Sequence, residues 1–356
     1  MALFGKKKKE IEEEGLEKFS SKKLPQNKKF RDLYPESKRK RKEPPKPWGK
    51  KERWLVFLVL AVTAGTSALL SLSARGWKLP GLPKLSKPSL ENIPFGEQTI
   101  VIEGNKTKQK SANEVVDDFK KTTTNLSGVY GFYVVDLDDG FSYGSNENDT
   151  FQAASLIKLP VMVAAFSESE KGNLDLDANY ILKDSDKLSG SGSIVGKPAG
   201  TVFTYRELLE YMGKQSDNTA FNVVRKKLGD KLITDYIIQI GMSDTSLEAN
   251  TTSPYDIGLY FKRLYNGQLL NDVDKTELLD NITDTIYEKR LAAGVPEGIK
   301  VAHKFGLETN VVNDAGVVFT KHPFVLVLMS HGVVISEAND IFPSLAGLIY
   351  SAETEN

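Results

Sequence analysis

QAASLIKLPVMVAAFSESEKG, residues 152–172, is a nearly unbroken apolar run with one lysine set inside it. From Leu156 to Phe166 every side chain except Lys158 is apolar, which predicts a helix crossing a core, with Pro160 tolerated near its start. An unpaired lysine is an odd choice inside such a helix. Ser155 stands three positions before it, and residues i and i+3 share a helical face, so the Lys158 amine can reach the Ser155 hydroxyl. A serine hydroxyl is a weak nucleophile until a base sits within hydrogen-bond reach. Lysine can supply that base where burial and neighbouring cations lower its pKa. S-x-x-K alone arises by chance in most chains of this length, and a lysine snorkelling to the surface is the plain alternative.

The segments around this helix supply its context. Upstream, SANEVVDDFKK (111–121) has a Ser N-cap and helical apolar spacing. GVYGFYVVDL (128–137) reads as a buried strand, DDG as a turn and FSYGSN (141–146) as the hairpin partner. Downstream, helical patterns dominate until two closing strands, at 313–319 and 321–332, and a last helix, SEANDIFPSLAGLIYSA. This order predicts an α+β sandwich of a mainly antiparallel sheet with helices, over residues 111–356.

The N-terminal part is of another kind. The formal net charge of zero hides an asymmetry: residues 1–53 carry 19 Lys/Arg against 9 Asp/Glu, so the remainder is net acidic. With KKKK at 6–9 and SKRKRK at 37–42, this tail has little to pack and is expected to be disordered and cytoplasmic. WLVFLVLAVTAGTSALLSLSA, residues 54–74, has no charge and is bracketed by Arg53 and Arg75. As a helix its length is about 31 Å, against the ~30 Å hydrocarbon core of a bilayer. It is expected to be an uncleaved signal anchor, the basic flank staying inside and the C-terminal domain lying outside. That topology accounts for the basic run better than nucleic-acid binding does. Residues 75–110 form a Pro-rich stalk ending in a strand-like piece, TIVIE (99–103).

The absence of cysteine excludes disulfides, thiolate zinc sites and a cysteine nucleophile. His303, His322 and His331 lack metal-ligand spacing, so neither a metal nor another cofactor is expected.

Two further motifs follow the first. Ser216-Asp217-Asn218 supplies a hydroxyl able to pass protons and an amide able to hold a carbonyl, although S-D-N equally suits a helix N-cap. Lys304-Phe305-Gly306 brings a lysine that can set the electrostatics around the serine, and a glycine that lets an edge strand approach a substrate. In this order the three motifs resemble the S-x-x-K, S-D-N and K-T-G set of class A β-lactamases and penicillin-binding proteins. The resemblance extends over about residues 111–356, through PAGTVFTYRELLEYMGKQSDNTAFNVV, NTTSPYDIGLYFKRL, AAGVPEGIKVAHKFG and NDAGVV.

That resemblance implies a serine hydrolase working through an acyl-enzyme on a β-lactam or a cell-wall peptide-like substrate. It makes Ser155 the nucleophile, Lys158 its base and Ser216 the proton relay. Asn218, Lys304 and Gly306 become substrate-binding positions, and the backbone N–H groups of Ser155 and Leu307 the oxyanion donors. LSGSGS (188–193) matches a loop bordering the cleft, or is a flexible linker. Two departures stand out. Phe305 replaces the Thr or Ser of relatives, and Val312 replaces the basic residue before Asn313-Asp314, which removes two carboxylate ligands. His303, Thr309 and Arg290 are the candidates to compensate. GMSDTSLEANTTSP (241–254) is too short for the loop that carries the water-activating Glu, leaving Glu248 as the nearby candidate. Against the enzyme stands a degenerate binding module that holds cell-wall material without turnover; the complete Ser155, Lys158, Ser216, Asn218 and Lys304 set argues against decay.

Overall fold

The computed structural model describes residues 103–354 and, before them, only positions 49, 50, 54, 56, 58–60 and 63. The chain divides into two units, Met1–Gly96 and Glu97–Asn356. In the first, the expected tail and the expected span over 54–74 lie almost wholly outside the described residues. The few described within that span are helical and exposed. Among the described residues, no helix is long and apolar enough to cross a membrane.

The second unit starts earlier than expected. Its first helix, α1, runs Glu103–Thr123, so Ser111 lies inside it and not at its N-cap. Glu103, expected at the end of a strand-like piece, is helical. The run KTKQK (106–110) is rich in Lys and Gln, straight-chain residues that propagate a helix readily, and one interior Ser costs only a few tenths of a kcal/mol, about 0.5. Residues 75–102 of the expected stalk lie outside the described residues.

Next come β1 (Val129–Asp136), β2 (Ser142–Ser145), β3 (Phe151–Gln152), a 3₁₀ turn (Ala154–Ile157) and α2 (Lys158–Glu170). An excursion carries β4 (Asn179–Ile181) and β5 (Val202–Thr204), followed by α3 (Tyr205–Lys214), α4 (Asn218–Leu228) and α5 (Asp230–Ile240). Then follow β6 (Thr251–Thr252), α6 (Pro254–Tyr265), α7 (Asp272–Asn281), β7 (Lys300–Glu308), β8 (Val311–Phe319), β9 (Phe324–His331) and α8 (Ile335–Thr354). Three strands close the chain instead of two. Lys304 and His303 disguise β7, because both are buried charges in what is otherwise a strand pattern.

The main sheet is antiparallel in the order β2-β1-β9-β8-β7, leaving β7 on an edge. One face packs on α1 and α8 through Phe119, Phe132, Leu326 and Phe342. The other packs on the helical block through Val327, Met162, Phe166 and Phe261. Burial on both faces explains why β9 reads FVLVLMS without alternation. Helix α2 is buried from Lys158 to Glu168. Each of its Leu, Val, Met and Phe side chains contributes roughly 1.5–3 kcal/mol. Together they hold the helix in the core in spite of the amine it carries.

Candidate active site

Ser155 sits in the 3₁₀ turn that leads into α2, directly after Ala154, whose φ is +48°. A left-handed backbone at a residue with a Cβ is strained and persists only where its surroundings enforce it. Two attachments do so. The short β3–β6 pairing brings Asn250 alongside, and the Ala153 N–H donates to the Asn250 carbonyl at 2.8 Å. From the sheet, Asn313 Nδ2 donates to the carbonyls of Gln152 (2.8 Å) and Ala153 (3.1 Å), while its Oδ1 accepts from the Ser330 N–H. Asn313 thereby clamps the serine turn onto β8.

Lys158 is 2% exposed. Its Nζ lies 3.0 Å from Ser155 Oγ, 3.1 Å from Ser216 Oγ and 2.8 Å from Asn218 Oδ1, and it also donates to the Ser216 carbonyl. Burial pulls its pKa down to about 7, with Asp217 working the other way. Near neutrality a large part of this amine is therefore unprotonated and able to take a proton from a hydroxyl 3.0 Å away.

Both readings of S-D-N hold at once. Asp217 is the N-cap of α4, accepting from the Ala220 N–H at 2.9 Å, and its flanking neighbours face Lys158. Ser216 is held at φ +54° between α3 and α4. The loop 188–193 is no free linker. Asn218 Nδ2 donates to the Ser189 carbonyl (2.9 Å), and the Asn218 N–H donates to the Ser191 carbonyl (3.0 Å). Asp217 Oδ2 accepts from the Ile194 N–H (2.9 Å). Gly192 has φ +92°, and a Cβ there would collide with the Asp217 carboxylate, so only glycine fits this approach.

β7 lies against the serine turn along its free edge. A Cβ on Gly306 would sit 3.2 Å from both the Ser155 nitrogen and the Ala153 carbonyl. The backbone of alternate β7 residues faces away from β8: the His303 N–H donates to Ile282 at 2.7 Å, and the Phe305 carbonyl accepts from Lys304 Nζ at 3.0 Å. The same alternation turns the Leu307 N–H off the sheet edge. Lys304 itself is buried beneath the cleft. Burial, helped by the charge of Lys158, lowers its pKa well below the ordinary lysine value, with Asp314 opposing.

Ser155, Lys158, Ser216, Asn218 and Leu307 all line one cleft of about 610 Å³, together with Gly190 and Ser191 of the bordering loop. Gly306 and the buried Lys304 are not among the residues that line it. Glu248 is not brought to this site: it is exposed on the 241–250 turn, and Asn250 is the residue of that segment that reaches the cleft. The cleft-lining carboxylate is Glu308 instead, at the end of β7.

The three candidates for replacing the lost carboxylate ligands fare differently. His303 is fully buried between Asp314 (2.7 Å) and Glu288 (3.1 Å). Burial disfavours its imidazolium, but the two carboxylates outweigh it and raise the pKa to about 10, so His303 is a structural cation. Arg290 donates to Asn339 at 2.8 Å and stacks 3.9 Å over the Phe305 ring, away from the cleft lining. Thr309 lines the cleft. Val312 is buried in the sheet and offers nothing to a substrate. Tyr287, which no motif pointed to, stacks on Phe305 with ring centroids 4.8 Å apart, and its hydroxyl lies 2.8 Å from Ser191 Oγ.

Residues 111–352 match the family model described as the beta-lactamase enzyme family. Beta-lactamase 3 of Bacillus cereus is 27% identical over 232 residues, which is 60% of this chain and 72% of that protein. Among solved structures, PBP-A superposes with a TM-score of 0.64 at 24% identity, over 70% of this chain and 97% of its own. A β-lactamase from Sphaerobacter thermophilus gives 0.64 at 24% identity, over 69% and 98%.

Proposed function

The chain belongs to the beta-lactamase enzyme family and is a serine hydrolase, and on that premise we propose that Ser155 forms an acyl-enzyme with a β-lactam or a cell-wall peptide. Neutral Lys158 takes the Ser155 proton as Oγ attacks the substrate carbonyl carbon. The resulting oxyanion is held by the Ser155 and Leu307 N–H groups, an arrangement worth roughly 3–4 kcal/mol per donor in comparable sites. The C–N bond then breaks, and Ser216 passes its proton to the leaving nitrogen while Lys158 replenishes it. Asn218 keeps one Nδ2 hydrogen for the substrate amide, the other being given to Ser189.

The single observation that carries this reading is the buried Lys158 amine, within hydrogen-bond distance of both Ser155 Oγ and Ser216 Oγ. Fluorescent penicillin should label the wild-type chain and leave Ser155→Ala unlabelled. Equal labelling of both proteins would remove Ser155 from the mechanism. The relatives carry both β-lactamase and PBP-A names, and the short 241–253 segment favours the reading with slow turnover.

The proposal includes placement. The basic residues before position 54 and the uncharged run 54–74 support an anchor with the N-terminus inside and the catalytic unit outside the cytoplasmic membrane. Protease added to intact spheroplasts should digest the catalytic unit and spare the tail. A protected catalytic unit would overturn this orientation.

A further inference from the structure

Resting on the acyl-enzyme reading above, we propose that the cleft beyond the oxyanion donors favours an uncharged, apolar-faced group beside the scissile bond and takes a free carboxylate there only at a lower acylation rate. Phe305 and Glu308 are its specificity determinants. The floor at this end is the pair of rings Tyr287 and Phe305, flanked by the exposed side chain of Leu307 and the partly buried Ile335. Among the described residues lining the cleft, Lys158 is the one basic side chain, and its amine is engaged with Ser155, Ser216 and Asn218.

Each other basic side chain near this end is withheld. The His303 imidazolium is fully buried between Asp314 and Glu288, Lys304 lies under the strand bonded to the Phe305 carbonyl, and Arg290 stacks on the Phe305 ring outside the lining. Glu308 adds a negative charge at the rim. A carboxylate placed here would lose water, gain no charged partner and face a like charge, whereas a neutral ester or amide loses little and gains ring contact.

A pair of thioester probes tests this on the full chain. Both carry the same acyl group; one releases mercaptoacetate, the other its methyl ester. Ser155 Oγ forms the acyl bond, the C–S bond breaks and the thiol leaves with the proton relayed through Ser216. The chain has no cysteine, so a disulfide reagent reads the released thiol without background. After correction of each rate for the probe's reactivity with hydroxide, kcat/KM should favour the uncharged probe by at least about tenfold, the scale of one missing charge-assisted hydrogen bond. Glu308→Gln, an exposed substitution, should narrow that ratio by about threefold, as expected for a partly screened charge. Phe305→Thr should narrow it further by opening the floor to a polar group. A preference for the carboxylate probe, with Ser155 acylated, overturns this inference alone; its loss in Arg290→Gln would make Arg290 the ligand. Absence of a Ser155 adduct with either probe overturns the acyl-enzyme reading and this inference with it.

Discussion

Lys158→Ala is expected to abolish acylation of Ser155 while the chain keeps its fold. Among the described residues, the substitution removes the only base that touches the serine hydroxyl, and positioned general bases contribute about 10²–10⁴-fold to rate. The helix remains, because its anchoring comes from Leu159, Val161, Met162, Val163 and Phe166, all buried. Ser216→Ala should slow acylation by less, since water can carry the relayed proton. The pH dependence gives a sharper signature. Burial lowers the Lys158 pKa to about 7, and the neutral form is the active one. The acylation rate should therefore rise with pH through about 7 and level off above it. A rate that falls through that range, or wild-type acylation by Lys158→Ala, would show that another group is the base.

The second large effect lies in turnover. The proposed acylation uses Ser155, Lys158, Ser216 and two backbone N–H groups, and Ser155, Lys158, Ser216 and Leu307 line one cleft. Hydrolysis of the ester requires a water that is both held and deprotonated. The segment 241–253 brings Asn250 to the cleft, and its Oδ1 is buried without a hydrogen-bond partner among the described residues. That amide oxygen can accept a hydrogen bond from water, but it cannot take a proton at neutral pH. Losing general-base assistance raises a barrier by roughly 3–5 kcal/mol, so the acyl-enzyme should form faster than it decays. Release of the first product should appear as a burst of one equivalent, followed by a slow linear phase. Glu248→Gln should change neither phase, because Glu248 is exposed on its turn outside the cleft lining.

Much of this site is legible in the sequence because its chemistry is local. The Ser155–Lys158 contact needs only three residues of helix, and S-D-N carries its own N-cap in Asp217. The α+β architecture follows from the hairpin and the apolar runs. What stays hidden depends on distant partners. Nothing in KVAHKFGLE announces a strand, because His303 and Lys304 look like surface charges until Asp314, Glu288 and the Phe305 carbonyl are brought to them. The resemblance made Asn313 part of a pattern, and the fold makes it the clamp on the serine turn. Tyr287 belongs to no motif and joins the cleft only because Phe305 stacks on it. The start of α1 lies ahead of Ser111 for a local reason: a serine followed by apolar spacing is also what a helix interior can look like. Glu248, the nearby candidate, does not line the cleft, because proximity along the chain to Asn250 does not fix the direction of a turn.

The most direct test of the central claim follows the mass of the intact chain over time after mixing with penicillin. Peptide mapping then locates any adduct, in wild type, Ser155→Ala and Lys158→Ala. One penicilloyl group should appear on Ser155 in the wild type, outlast its own formation, and be missing from both variants. Adduct at another residue, or rapid hydrolysis of penicillin with no adduct accumulating, would contradict the account.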